Sequence, residues 1–224
     1  MLVQGTVRRL HALRNPTVLL KPDISKAFDS VQWPFLIEVL HIMGFSTRWI
    51  GWICGLLTMS STRIMLNGVP GKPIYNQCGL QQGNPLSPML FILIMEPLQR
   101  LFHAASESGL LAPLAANGLK NRLSIFADDV IIFLKPHPTD LTTCTTILGM
   151  FATASGFHTN LTKSTALPIR CTQEQMVEVT SALGCSLGGF PMRYLGLPLT
   201  RKQSTVQLQG LVDHIAACLP TWRA

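Results

Sequence analysis

Leu123-Ser124-Ile125-Phe126-Ala127-Asp128-Asp129-Val130-Ile131-Ile132-Phe133-Leu134 is the stretch that decides how this chain folds. Four hydrophobic residues lead into two adjacent aspartates and five lead out. The pattern reads as a β-hairpin with a carboxylate pair at its tip. Two like charges about 4 Å apart repel by roughly 4 kcal/mol at an effective dielectric near 20. A bound divalent cation removes that penalty. Read alone, the pair also fits an ordinary turn, where aspartate is common.

A second apolar strand upstream ends in a carboxylate in the same way. Thr17-Val18-Leu19-Leu20-Lys21-Pro22-Asp23-Ile24 is followed by Ser25-Lys26-Ala27-Phe28-Asp29-Ser30-Val31. If the two strands share a sheet, Asp23 faces Asp128 across their ends. Three carboxylates converging on one point suit a two-metal phosphoryl-transfer site. Magnesium is the hard, oxygen-loving ion for it. A third segment, Gly79-Leu80-Gln81-Gln82-Gly83-Asn84-Pro85-Leu86-Ser87-Pro88, opens directly into Met89-Leu90-Phe91-Ile92-Leu93-Ile94-Met95. Proline suits the first turn of a helix. Glycine before a helix start allows a nucleotide close to the backbone.

Together these segments resemble the reverse transcriptases of LINE-type (non-LTR) retrotransposons, notably those abundant in plant genomes. Lys21-Pro22-Asp23-Ile24-Ser25-Lys26-Ala27-Phe28-Asp29-Ser30-Val31-Gln32-Trp33, residues 79–88 and Phe126-Ala127-Asp128-Asp129 carry the resemblance. Gly156-Phe157 with Asn160-Leu161-Thr162-Lys163-Ser164 and then Tyr194-Leu195-Gly196-Leu197-Pro198-Leu199 follow in the family's order. The match runs over about residues 19–199. It implies an α+β right-hand polymerase palm with a small antiparallel sheet and packed helices. Residues 1–16 would be a remnant of fingers or linker, 17–200 the palm with its primer grip, and 201–224 the start of a thumb. The fingers would be largely missing and the thumb incomplete.

The resemblance also implies the chemistry. A primer 3′-hydroxyl attacks the α-phosphate of a dNTP, directed by an RNA template, with two Mg²⁺ ions, or Mn²⁺ in their place. Asp23 and Asp128 would hold both metals, with Asp129 and the Ile24 carbonyl as further candidates. Phe28 would stack under the sugar and exclude a 2′-hydroxyl; a core aromatic is its plainer role. Gln82 and Gly83 would contact the nucleotide and template. Lys163 would protonate the leaving pyrophosphate, a general-acid role; a solvated lysine is the alternative. Three positions depart from the family: Gln81 stands where arginine is usual, Asn84 where aspartate is usual, and Pro22 where a strand aliphatic is usual. Pro22 points to a sheet edge or strand end, because proline cannot donate to a ladder. A catalytically inert derivative that at most binds nucleic acid is the competing reading, and an intron-encoded maturase is a third.

The 224 residues are 47% hydrophobic and 13% charged, which excludes a disordered chain. A formal charge of +7 suits a polyanionic partner. The six cysteines show neither zinc-ligand spacing nor a disulfide framework, and read as reduced thiols of an intracellular protein. Work in the nucleus would follow for an active element. No signal peptide or membrane-length apolar run is present; 89–95 is the longest apolar stretch. Apolar spacing predicts helices over 35–43, 49–57, 86–101, 142–154, 173–183 and 207–219. Asn67-Gly68 predicts a hairpin turn.

Overall fold

The computed structural model describes residues 2–115, 119, 121–127 and 129–201. Asp128, Cys218 and the helix expected over 207–219 lie outside the described residues. The two apolar strands do share a sheet. β1 (Thr17–Ile24) is its central strand, flanked by β7 (Asp129–Leu134) and β8 (Thr159–Ile169). β6 (Leu123–Phe126) and β9 (Ser186–Leu187) form the edges, giving the order β6-β7-β1-β8-β9. The sheet is antiparallel apart from its outermost β8–β9 pair, which is parallel.

The strands are apolar at consecutive positions because both faces of the sheet are covered. Val18, Leu20, Val130, Ile132 and Leu134 point into the larger core. There they meet helices α2 (Trp33–Ile42), α3 (Thr47–Thr58), α4 (Ser87–Glu107), α5 (Pro138–Ser155) and α6 (Gln173–Leu183). Leu19, Ile131, Phe133, Leu167 and Ile169 point the other way. That second face meets Val3, Val7 and Leu10 of α1 (Leu2–Ala12), so helices cover two faces rather than one. Each of these fully buried aliphatic or aromatic side chains contributes roughly 1.5–3 kcal/mol.

Five of the expected helices form. α4 runs six residues past 101, through Pro97. α5 starts four residues before 142, at Pro138, and closes on left-handed Gly156. α6 begins where Thr172 and Gln175 make a reciprocal capping box. The Asn67-Gly68 turn, with φ 49° and 80°, closes a nested arm of short strands. These are β2 (Ser61–Thr62), β3 (Met65–Leu66), β4 (Val69–Pro70) and β5 (Ile74–Tyr75), all exposed. β10 (Met192–Tyr194) and β11 (Leu197–Leu199) make a second small hairpin over the Tyr194-to-Leu199 motif.

Pro22 corrects the edge-strand expectation. It is buried in the central strand, at an irregularity in the β1–β8 ladder. Lys21 pairs with Thr165 but Asp23 pairs with Asn160, so four residues of β8 bulge opposite one proline. Proline has no N–H to give a partner strand, and a bulge is where a sheet tolerates that loss. The ladder resumes through side chains: the Asp23 N–H donates to Ser164 Oγ at 3.0 Å, and Ser164 Oγ donates to the Asn160 carbonyl at 2.7 Å.

Candidate active site

Asp23 and Asp129 reach the same end of the sheet on neighbouring strands. Val18, Leu19 and Leu20 pair with Leu134, Phe133 and Ile132. Carried three residues further, that register brings Asp23 level with Asp129. Phe126 pairs with Asp129, so Asp129 is the first residue of β7 and Ala127, in left-handed conformation at φ 51°, begins the connection. Lys21 Nζ lies 2.7 Å from Asp129 Oδ1. Asp23 is exposed, and its carboxylate has no protein partner among the described residues.

The segment after Asp23 is held from two sides by glycines. Leu80 N–H donates to the Phe28 carbonyl at 2.7 Å, and Gly79 N–H to the Val31 carbonyl at 2.8 Å. Trp33 Nε1 donates to the Gly79 carbonyl at 2.8 Å. A Cβ on Gly79 would sit 2.7 Å from the Asp29 carbonyl oxygen, and Gly79 has φ +86°. On the other side, Gln32 N–H donates to the Ser155 carbonyl at 2.9 Å. A Cβ on Gly156 would sit 2.2 Å from the Ser30 carbonyl oxygen. Thus residues 26–32, the 79–80 loop and the end of α5 lock together, although they are far apart in sequence. Gly79 serves protein packing. Gly83, with φ +86° and open space where a Cβ would be, is the glycine left free for close approach by another molecule.

The loop into α4 is built from its own polar groups. Leu86 N–H donates to Asn84 Oδ1 at 3.0 Å, and Ser87 Oγ to the Gln81 carbonyl at 2.7 Å. An aspartate at 84 would accept the first bond equally well, so Asn84 keeps the loop's geometry. Gln81, Gln82 and Gly83 are exposed. Phe28 is half-buried and stacks on Phe91, centroids 4.7 Å apart and planes 20° from parallel. It therefore packs on the core and also lines a groove of about 310 Å³ with Pro88, Ile92, Met95, Phe126 and Ala127. Lys163 sits on the β8 bulge opposite Pro22, exposed, its N–H donating to Asn160 Oδ1 at 3.3 Å.

The far end of the hairpin is braced by a buried polar network that sequence reasoning missed. Arg122 precedes β6, and Asp140 lies in the first turn of α5; both are almost fully buried. Arg122 Nη1 is 3.7 Å from Asp140 Oδ2, and Arg122 also donates to Ser106 Oγ and to the Ala112 carbonyl. Asp140 accepts from the N–H groups of Ala112 and Lys135 at 3.0 and 3.2 Å. Burial pulls the Arg122 pKa down, and the charge of Asp140 pushes back. Burial, then the Asp140 charge, lifts the Cys144 thiol to about 12. Nothing in the sequence spacing of 106, 112, 122 and 140 announces this network.

The Asp23 carboxylate, exposed at the sheet end it shares with Asp129 and without a protein partner among the described residues, is an oxygen donor that fits a hard divalent ion. Among the described residues there is no group of three ligating side chains, Asp128 being outside them. No described helix is long and apolar enough to cross a membrane. Residues 2–199 match the family model described as reverse transcriptase (RNA-dependent DNA polymerase). The chain is 28% identical over 125 residues to a retrovirus-related Pol polyprotein from the type-1 retrotransposable element R2 of Popillia japonica. That match covers 55% of this chain and 20% of the relative. It is 30% identical over 148 residues to the transposon TX1 uncharacterized 149 kDa protein of Xenopus laevis, covering 66% of this chain and 11% of the relative. An uncharacterized mitochondrial protein of Arabidopsis thaliana is 40% identical over 67 residues, covering 29% of this chain and 55% of that protein. The chain thus spans a fifth or less of the retrotransposon relatives described here.

Proposed function

We propose that this chain, which belongs to the reverse transcriptase family, supplies the palm of a non-LTR RNA-directed DNA polymerase. The observation that carries the reading is the sheet register, which puts Asp23 and Asp129 at one end of adjacent strands. In this reading residues 17–200 are the palm and its primer grip, preceded by 1–16 and followed by 201–224. Its substrates are an RNA template, a DNA primer and dNTPs, and an active element would use it in the nucleus.

Asp23 and Asp128 would hold two Mg²⁺ ions, or Mn²⁺, with Asp129 and the Ile24 carbonyl close by. Bound there, the ions supply charge stabilisation for the attacking and leaving oxygens. The chain's own groups do the rest. Phe28, pinned by Phe91 and by the Leu80 hydrogen bond, presents a rigid ring to the groove and limits room at the sugar. Gln82 and Gly83 offer exposed polar and backbone groups to nucleotide and template. Lys163 reaches solvent from the bulge opposite Pro22, next to Asp23 in the strand, where its ammonium can give a proton to pyrophosphate.

Primer extension on an RNA template with Mg²⁺ and with Mn²⁺ tests the reading. The wild-type palm in its full polymerase context extends the primer, and Asp23→Ala/Asp128→Ala does not. Equal extension by both would refute it. Absence of extension from an otherwise competent polymerase carrying this palm would favour the inert derivative. Of the three departures from the family pattern, Asn84 and Pro22 are accommodated by the loop and the bulge. Gln81 remains.

A further inference from the structure

We propose that Lys21 is a positioning residue that holds Asp129 outside the metal-ligand set as one half of a charge-balanced pair. The proposal deepens, and rests on, the two-metal reading above. The two aspartates described at this sheet end differ. Asp129 is tied at 2.7 Å to Lys21 on the neighbouring strand, whereas Asp23 has no protein partner among the described residues. Asp129 is also fixed through its backbone by pairing with Phe126.

Lys21 is fixed in turn. It sits in the central strand, paired with Thr165 one residue before the Pro22 irregularity. By the two-residue alternation of strands, Lys21 lies on the face of Leu19, and Asp129 on the face of Ile131 and Phe133. That is one and the same face. The expected register sets Asp129 on the diagonal from Lys21, a distance a long side chain spans. Both side chains are about one-third exposed, at 32% and 33%. As a stabilising contact such a partly exposed pair is worth little. Its consequence is electrostatic. It balances the charge of Asp129 and leaves Asp23 as the described carboxylate at this sheet end open to a cation.

Mn²⁺ titration calorimetry on the full chain tests this with Lys21→Met, Asp129→Asn and the double variant. Each single variant leaves one charge uncompensated near the ion. Lys21→Met should tighten Mn²⁺ binding and Asp129→Asn should weaken it, each by about tenfold. That is the order expected for one unit charge some 6 Å from a divalent ion in a water-like dielectric. The double variant should return to within about twofold of wild type, because the pair is removed as a neutral unit. Lys21→Arg should match wild type. If the double variant stays as weak as Asp129→Asn, Asp129 is itself a ligand and the proposal is overturned. Unchanged or weaker binding in Lys21→Met overturns it too. Asp23→Asn separates the two levels. If it binds Mn²⁺ as tightly as wild type, or if wild type shows no saturable binding, the metal reading itself fails, and the role of Lys21 with it.

Discussion

Gly156→Ala is the sharpest perturbation this fold offers, because a matched control exists within the chain. Gly156 and Gly184 both end helices in the left-handed conformation, at φ 84° and 64°. Alanine in that region costs roughly 1–2 kcal/mol at either site. Space separates them. A Cβ at 184 meets nothing within 4 Å, while one at 156 lies 2.2 Å from the Ser30 carbonyl oxygen. Ordinary contact begins near 3.4 Å, so more than an ångström of backbone movement is needed. The bond beside the contact, Gln32 N–H to the Ser155 carbonyl at 2.9 Å, is the one that must yield. Breaking that bond and leaving the carbonyl of buried Ser155 unpaired costs about 1–3 kcal/mol. Gly156→Ala should therefore lose about 2–5 kcal/mol in total, and at least about 1 kcal/mol more than Gly184→Ala. Urea unfolding followed by tryptophan fluorescence measures both. Losses within about 0.5 kcal/mol of each other would show that the clamp on residues 26–32 yields freely, and would refute the reasoning.

Asp140→Ala should cost about 3–5 kcal/mol, because it leaves the Arg122 charge buried and unbalanced; Arg122→Met/Asp140→Leu should recover most of that loss in the same unfolding experiment. Phe28→Ala, placed in a complete polymerase, should narrow the ratio of kcat/KM for dNTP over rNTP; an unchanged ratio would make Phe28 a packing residue only. In native protein a maleimide should label exposed Cys78 well before buried Cys144. The Cys144 thiol, lifted to about 12, is protonated throughout the neutral range, and only the thiolate reacts. Peptide mass spectrometry of timed samples checks the order.

How much of this was legible in the sequence varies by element, for physical reasons. The sheet centre was legible because β1 and β7 are apolar on both faces, a pattern few other structures need. α6 announced itself through Thr172, Gln175 and Gly184. α1 carries Val3, Val7 and Leu10 at helical spacing, a signal legible in the sequence itself. β8 was hidden by its polar bulge, where Asn160, Thr162 and Ser164 bond to one another's neighbourhood rather than to a ladder. At the candidate site, the strand pattern alone points to Asp23 and Asp129, while Phe28, Gln82, Gly83 and Lys163 enter only through the resemblance and their roles stand as proposals. The Lys21–Asp129 pair was not legible, because strand register is set by tertiary contacts. Nor was the burial of Gly79 and Gly156 against residues 29 and 30, which depends on two backbones meeting from distant parts of the chain.

The placement of β1 has a consequence for biosynthesis. The central strand is made early but pairs only with strands made late. Roughly a hundred residues separate the end of β1 from the start of β7, so at about 5–20 residues per second the ribosome takes on the order of 5–20 s to supply the partner. During that interval Val18, Leu19 and Leu20 have no sheet to enter. Closure over such sequence distances is slow, and among the partners Leu19 has in the folded protein, Val3, Val7 and Leu10 of α1 are the ones already made.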